Sequence, residues 1–228
     1  MNTCVIIPAA GSGKRFGNQT PKQYVLLNGL PLILYTLKAF ESHPMITHII
    51  LSVSKDWYDY TVSLIHSYKI QKVTSIIIGG HERQFSIENA LSVVPNYNPD
   101  IILVHDAVRP FISQALISTI VLAAREFGAA IPVLPIKDTV KEIQSDFVHH
   151  TLDRLHLRSA QTPQGFTTDI IQQAYIFARR HTISATDDAS LVESAGFPVH
   201  IVHGEDINIK VTTPLDFKLA EIILQDLQ

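Results

Sequence analysis

The chain reads as a three-layer α/β domain built on a mostly parallel sheet, and three observations predict it. Short runs crowded with Val and Ile alternate with amphipathic stretches at helical spacing, which is the pattern of strand–helix–strand crossover units. The connections between them are short, so consecutive strands lie side by side in one sheet. With 228 residues, 46% hydrophobic and only 17% charged, the chain has enough apolar surface for one large core.

The elements follow in order. Thr3–Ile7 is a strand because β-branched residues fill a run bounded by Pro8 and Gly11. His48–Val53, Thr74–Ile78, Ile101–His105 and Ala129–Leu134 repeat the type, and all five read as buried on both faces. Helical periodicity is expected over Pro31–Glu41, Asp56–Tyr68, Arg83–Val93, Ser113–Phe127 and Pro214–Leu227. One segment breaks the alternation. Thr139–Ile143 and Phe147–Leu152 are β-like runs around the turn-forming Gln144-Ser145-Asp146, which predicts a β-hairpin arm at about residues 137–160. An isolated hairpin is marginal in water, so the arm packs against its own domain or a second subunit. No repeat, low-complexity stretch or linker divides the chain, so residues 1–228 read as a single domain.

Composition excludes several classes. A formal charge of −3 is not that of a general nucleic-acid binder. The one cysteine, Cys4, rules out an internal disulfide framework and fits a reducing cytosol. Neither a signal peptide nor a membrane span is evident, so a soluble cytoplasmic protein is expected. His149, His150 and His156 in the arm read as surface residues, with no third ligand at zinc spacing. The charge is nonetheless uneven: Met1–Phe40 carries Lys14, Arg15, Lys22 and Lys38 and no acidic residue.

That positive charge frames the strongest motif, Pro8-Ala9-Ala10-Gly11-Ser12-Gly13-Lys14-Arg15-Phe16-Gly17, followed by Thr20-Pro21-Lys22-Gln23. Small residues let backbone N–H groups approach an anion, and the cations neutralise several phosphate oxygens, so this is a polyphosphate loop. A Walker P-loop fails twice on spelling, with Pro8 where its first Gly belongs and Arg15 where its Ser or Thr belongs. A dinucleotide fingerprint fails at Phe16 and lacks a ribose-holding acid near Val53–Ser54.

The loop with its Pro21-Lys22-Gln23 triplet resembles the N-terminal signature of the sugar-phosphate nucleotidyltransferases, in particular the 2-C-methyl-D-erythritol 4-phosphate cytidylyltransferases. Seven further signatures appear in the family's order: Gly79-Gly80-His81-Glu82-Arg83 with Ser86, His105-Asp106-Ala107-Val108-Arg109-Pro110, Asp138-Thr139, Asp153-Arg154, Gln161-Thr162-Pro163-Gln164, Thr186-Asp187-Asp188-Ala189-Ser190 and Asn208-Ile209-Lys210-Val211-Thr212. The resemblance implies a Rossmann-like sheet of the nucleotidyltransferase type. It also implies a homodimer through the arm, in which Arg154 and Thr139 are delivered to the partner's pocket.

What it implies for the site suits the residue types. Phosphate of methylerythritol phosphate attacks the α-phosphorus of CTP, a reaction that needs charge neutralisation rather than a protein nucleophile. Arg15, Lys22 and Lys210 are then the catalytic cations, with Lys210 in the strand-like run Ile207–Val211. CTP falls to Pro8, Ala9, Ala10, Gly11, Ser12, Gly13, Lys14, Gly80, His81, Arg83, Ser86, Asp106 and Ala107. The glycine turn at Gly79-Gly80 offers carbonyl acceptors that tell cytosine from uracil, and His81 departs from the acidic residue expected in some relatives. Arg109, Thr139, Arg154, Thr162, Thr186 and Asp206 are the acceptor-substrate candidates. Asp106 either positions Mg²⁺ (or another divalent cation) or caps the turn into Arg109-Pro110. Thr186 is either an acceptor ligand or the N-cap of a following helix. Two rival functions remain: a ribitol 5-phosphate cytidylyltransferase sharing these motifs, and a non-catalytic nucleotide-binding module, whose mark is loss of Lys22 or Lys210.

Overall fold

The structure, a computed structural model, describes residues 1–11 and 20–227. In chain order the elements are β1 (Thr3–Ala9), β2 (Leu26–Leu27), β3 (Leu30–Pro31), α1 (Leu32–Glu41), β4 (His48–Val53), α2 (Tyr58–Ser67), β5 (Val73–Ile78), α3 (Arg83–Leu91), β6 (Ile101–Val104) and α4 (Gln114–Phe127). They continue with β7 (Ala129–Pro135), β8 (Lys141–Gln144), β9 (Phe147–Thr151), β10 (Arg158–Ala160), β11 (Gln164–Thr167), α5 (Thr168–His181), α6 (Asp188–Ser194), β12 (His200–His203) and α7 (Pro214–Asp226).

The main sheet has the order β10-β7-β11-β6-β1-β4-β5, with β12 pairing β7. β1 runs parallel to β4 and β6, β4 parallel to β5, and β12 parallel to β7, whereas β10 and β11 run against their neighbours. The mostly parallel sheet is therefore as expected, and the antiparallel β10 and β11 were not foreseen. Their sequences, RSA and QGFT, lack the β-branched density that marks the other strands.

Alternation along β1 explains the three layers. Val5 and Ile7 point into a cluster with Leu34, Leu37, Phe40, Ile117 and Ile120 of α1 and α4, whereas Cys4 and Ile6 point into another with Ile87, Ala90, Ile171 and Leu191 of α3, α5 and α6. A strand flanked by helices on both faces must be apolar throughout, which is why β1, β4 and β6 were visible as unbroken Val/Ile runs. β5 departs from that expectation: it ends the sheet, and its residues are only partly buried. Burial pushes the Cys4 thiol up to about 12, leaving it a packed apolar side chain rather than a nucleophile.

Helix limits follow local chemistry. Ser113 Oγ accepts the Leu116 N–H and starts α4, and Gly128, at φ +86°, ends it. Thr213 and Asp216 form a reciprocal capping box on α7. No described helix is long and apolar enough to cross a membrane. The segment after β7 leaves the main sheet, and among the described residues β8 and β9 pair only with each other. Ile143, Phe147 and Val148 on this hairpin are largely exposed.

Candidate active site

The sheet places the ends of β1, β5 and β6 at one edge, where α/β sheets bind ligands. A cleft of about 410 Å³ opens there, lined by Pro8–Gly11 at the end of β1, Gly80–Arg83 and Ser86 after β5, Asp106–Val108 after β6, and Lys22, Gln23 and Lys210. Segments from both ends of the chain thus share one wall.

Each contributor is held by identifiable contacts. Gln23 sends its amide to the carbonyls of Ala9 (2.6 Å) and Gly11 (3.0 Å), so the glutamine of the Pro-Lys-Gln triplet anchors the rim that carries Lys22. At Gly79 a Cβ would stand 2.5 Å from the Ala10 Cβ, and at Gly80 one would stand 2.4 Å from the Phe85 Cβ. The glycines let the β5 turn close on the β1 loop and on α3. Ser86 Oγ fastens this turn, accepting the Gly80 N–H (3.1 Å) and donating to the Glu82 carbonyl (3.0 Å). The His81 ring stacks on Phe85 at 4.3 Å.

Lys210 does not lie in a strand, because Ile207–Val211 forms no ladder. It is fixed instead by its buried neighbours. Asn208 donates to the Thr162 carbonyl (2.8 Å) and its own carbonyl accepts Arg109 Nη1 (2.7 Å), while the Val211 N–H bonds Val108 (2.9 Å). Between those anchors Lys210 extends its Nζ to 2.8 Å from Asp106 Oδ2.

Asp106 is the electrostatic centre. Arg83 Nε stands 3.2 Å from Oδ1, and Arg109 Nε joins Lys210 at Oδ2, 3.5 Å away. Burial by itself raises a carboxyl pKa, but Arg83, Lys210 and Arg109 outweigh it and hold Asp106 well below the usual carboxylate range. Arg83 turns its far side to the buried Asp188 (2.8 Å), which accepts the Tyr175 hydroxyl (2.6 Å).

A neutral network lies beneath. The Asp106 N–H donates to Thr162 Oγ1, whose proton goes to His105 Nδ1, and His105 Nε2–H donates to the Arg109 carbonyl, all at 3.1–3.2 Å. Burial pushes His105 down to about 4, which keeps the imidazole neutral and able to accept at Nδ1.

This donor set suits an anionic ligand better than a resident cation. Both Asp106 oxygens already face guanidinium or ammonium groups, and a divalent ion on them would displace Lys210 against two further positive charges. Cations on a mobile stem and on rigid forks, beside a small-residue loop, instead fit a chain of phosphates.

The sequence model of the family described as IspD: 2-C-methyl-D-erythritol 4-phosphate cytidylyltransferase matches residues 3–226. The chain belongs to the IspD family. Proteins named 2-C-methyl-D-erythritol 4-phosphate cytidylyltransferase from Syntrophus aciditrophicus and Bacillus mycoides are 44% and 41% identical to it, over 96% of this chain and 94% and 96% of their own lengths. A solved structure of a 4-diphosphocytidyl-2C-methyl-D-erythritol synthase from Anaerococcus prevotii superposes with a TM-score of 0.84 at 32% identity, covering 98% of both chains.

Of the IspD-type residues expected from sequence, the cleft gathers Pro8, Ala9, Ala10, Gly11, Lys22, Gly80, His81, Arg83, Ser86, Asp106, Ala107 and Lys210. Ser12, Gly13, Lys14 and Arg15 lie outside the described residues. Arg109 and Thr162 sit just beneath Asp106, and the Thr162 hydroxyl is already engaged on both sides, so it acts on the site through Asp106 and His105. Thr139, Arg154, Thr186 and Asp206 do not line this cleft. Arg154 instead donates to the Lys137 carbonyl (2.6 Å), and Lys137 pairs with Asp206 (3.0 Å) near the base of the hairpin. Thr186 is exposed and does not cap α6; Asp187 does, accepting the Ser190 N–H. Of the supports, Gln23, Asp188 and Asn208 stood inside the quoted signatures with no role assigned to them, and Tyr175 stood in none. Asp188 left a further signal, since only one of the two successive acids, Asp187, is needed to cap α6.

Proposed function

We propose that the chain joins CTP to 2-C-methyl-D-erythritol 4-phosphate, giving 4-diphosphocytidyl-2-C-methyl-D-erythritol and pyrophosphate for isoprenoid synthesis by the non-mevalonate route. A phosphate oxygen of the acceptor attacks the α-phosphorus of CTP, and the bond to the β-phosphate oxygen breaks. The single observation that carries this reading is the cleft that Lys22 and Lys210, from opposite ends of the chain, line together with Asp106. Two cations at that place neutralise charge that grows on the five-coordinate phosphorus, which is where preorganised donors act most strongly. Lys210 is held ready by Asp106 and passes to phosphate when the nucleotide enters. Arg15 is assigned to the phosphates and leaving pyrophosphate by family resemblance.

The divalent ion belongs to the substrate. Magnesium travels on the triphosphate oxygens, because the Asp106 carboxylate is occupied by three cationic groups. Cytosine is read by the backbone of the Gly79-Gly80 turn, whose carbonyls accept from the exocyclic amine. Arg154, Thr139 and Asp206 hold the acceptor, with Arg154 and Thr139 supplied by a second subunit through the hairpin. That Arg154 and Thr139 do not line their own chain's cleft supports that sharing, as does the exposed apolar surface of Ile143, Phe147 and Val148. The enzyme works as a cytoplasmic homodimer.

Pyrophosphate release from CTP, with methylerythritol phosphate, ribitol 5-phosphate or no acceptor, tests the reading. Release with methylerythritol phosphate alone is expected. Equal kcat/KM with ribitol 5-phosphate overturns the acceptor assignment, and no release with any acceptor overturns the enzyme.

A further inference from the structure

The hairpin carries a cluster that the transfer reaction does not use. Two histidines in succession on a strand ordinarily point to opposite faces. Here the ladder slips. Glu142 pairs with His150 and Ile143 with Val148, so His149 is an extra residue on β9. In such a bulge two residues oppose one, and the strand's local turn brings both toward the side of the single partner. The rings of His149 and His150 consequently lie 5.0 Å apart, and His150 Nε2 is 3.2 Å from Glu142 Oε2. One ligand atom from each of the three residues lies within 4.8 Å of the other two, and all three residues are exposed. The third ligand missing at sequence spacing thus arrives from the opposite strand.

We propose that Glu142, His149 and His150 bind a borderline divalent metal ion of the zinc class, distinct from the magnesium that accompanies CTP. Two imidazoles and one carboxylate form a mixed N/O donor set suited to zinc, copper or nickel, and too nitrogen-rich for magnesium or calcium. Tetrahedral ligands about 2.0–2.1 Å from a metal stand roughly 3.3 Å apart. The Glu142–His150 pair already has that separation, and the exposed His149 needs only a side-chain rotation. Water fills the fourth position. The ion ties β8 to β9 in a hairpin that has no other sheet partner among the described residues, and so opposes its local opening. Ile143 and Val148 form the next cross-strand pair and face the other way, so a partner covering them leaves the metal face free.

Equilibrium dialysis of the full chain against zinc tests the site, with hydrogen exchange of the Lys141–Thr151 amides as a second reading. One ion per chain is expected, with slower exchange over the hairpin. Glu142→Gln should weaken binding by at least the roughly 10–100-fold that loss of an outer-shell partner costs, and His149→Ala with His150→Ala should abolish it. His156→Ala, on the neighbouring turn, should keep it. The same zinc content in the wild type and the double variant, or no zinc in either, overturns the site. So does hairpin exchange that zinc slows equally in both. Exposed hairpin positions carry little folding risk, and none of these outcomes bears on the assignment of the transfer reaction.

Discussion

Replacing Asp106 by Asn tests the electrostatic centre directly. The change keeps the shape and removes one negative charge from among Arg83, Arg109 and Lys210, at 3.2, 3.5 and 2.8 Å. Breaking a buried ion pair from one side typically costs about 3–5 kcal/mol. Two features reduce that cost: the Lys210 side chain is 40% exposed and can turn to water, and Arg83 keeps Asp188 at 2.8 Å. Arg109 has neither escape, since its side chain is 10% exposed. A loss of about 2–3 kcal/mol is therefore expected, or about 1 M in urea midpoint for a slope of roughly 2–3 kcal/mol/M. Pyrophosphate gives a second, opposite-signed reading. In the wild type an added anion competes with Asp106 for Lys210, whereas in Asp106→Asn it supplies the missing negative charge, so it should raise the variant's midpoint more. A variant midpoint within about 0.2 M of wild type refutes the argument. So does pyrophosphate that stabilises the wild type at least as much.

Lys22→Ala should lower kcat by about 10² or more with an unchanged urea midpoint, the scale of losing one preorganised donor; near-normal turnover in the folded variant removes the assigned mechanism. His105 binds its proton near pH 6.5 when unfolded and only near pH 4 when folded, so acidification through that window favours the unfolded chain by about 3 kcal/mol. Stability should thus fall as pH drops from 6.5 toward 4, and His105→Gln should lose about one proton's worth of that slope; equal slopes in urea titrations contradict the assignment. Mixed dimers of Lys22→Ala and Arg154→Ala chains test sharing: about half of wild-type activity returns if Arg154 acts across the interface, because one site collects both defects. No return means that it acts within its own subunit.

Much of the fold was legible because burial on both faces leaves a plain mark. Ile49, Ile50 and Leu51 of β4 and Ile101–Val104 of β6 cannot be polar on either side, so their runs stand out. Edge and bent strands leave weaker marks. β10 and β11 both lie along β7, interrupted at Thr162-Pro163 after the Gln161 N–H reaches the Pro132 carbonyl, and their direction is set by the strands they pair with rather than by their own residues. The slipped register of β8 and β9 depends on the meeting of two strands, and the sequence spacing of the histidines does not contain it.

At the site the division is physical in the same way. Glycine placement, the run of cations before Phe40 and the loop spelling are local properties, so the sequence by itself determined an α/β protein and led to the expectation of a phosphate-binding loop after its first strand. Resemblance along the whole chain added the reaction. Only the tertiary structure decided which charge answers which, because apart from the local Asp106–Arg109 pair the decisive contacts join segments distant in the chain. Thr162 reaches His105 across 57 residues and Arg109 reaches Asn208 across 99. Hydrogen bonds and ion pairs act over about 3 Å, and no residue pattern states which distant segments packing will bring within that distance.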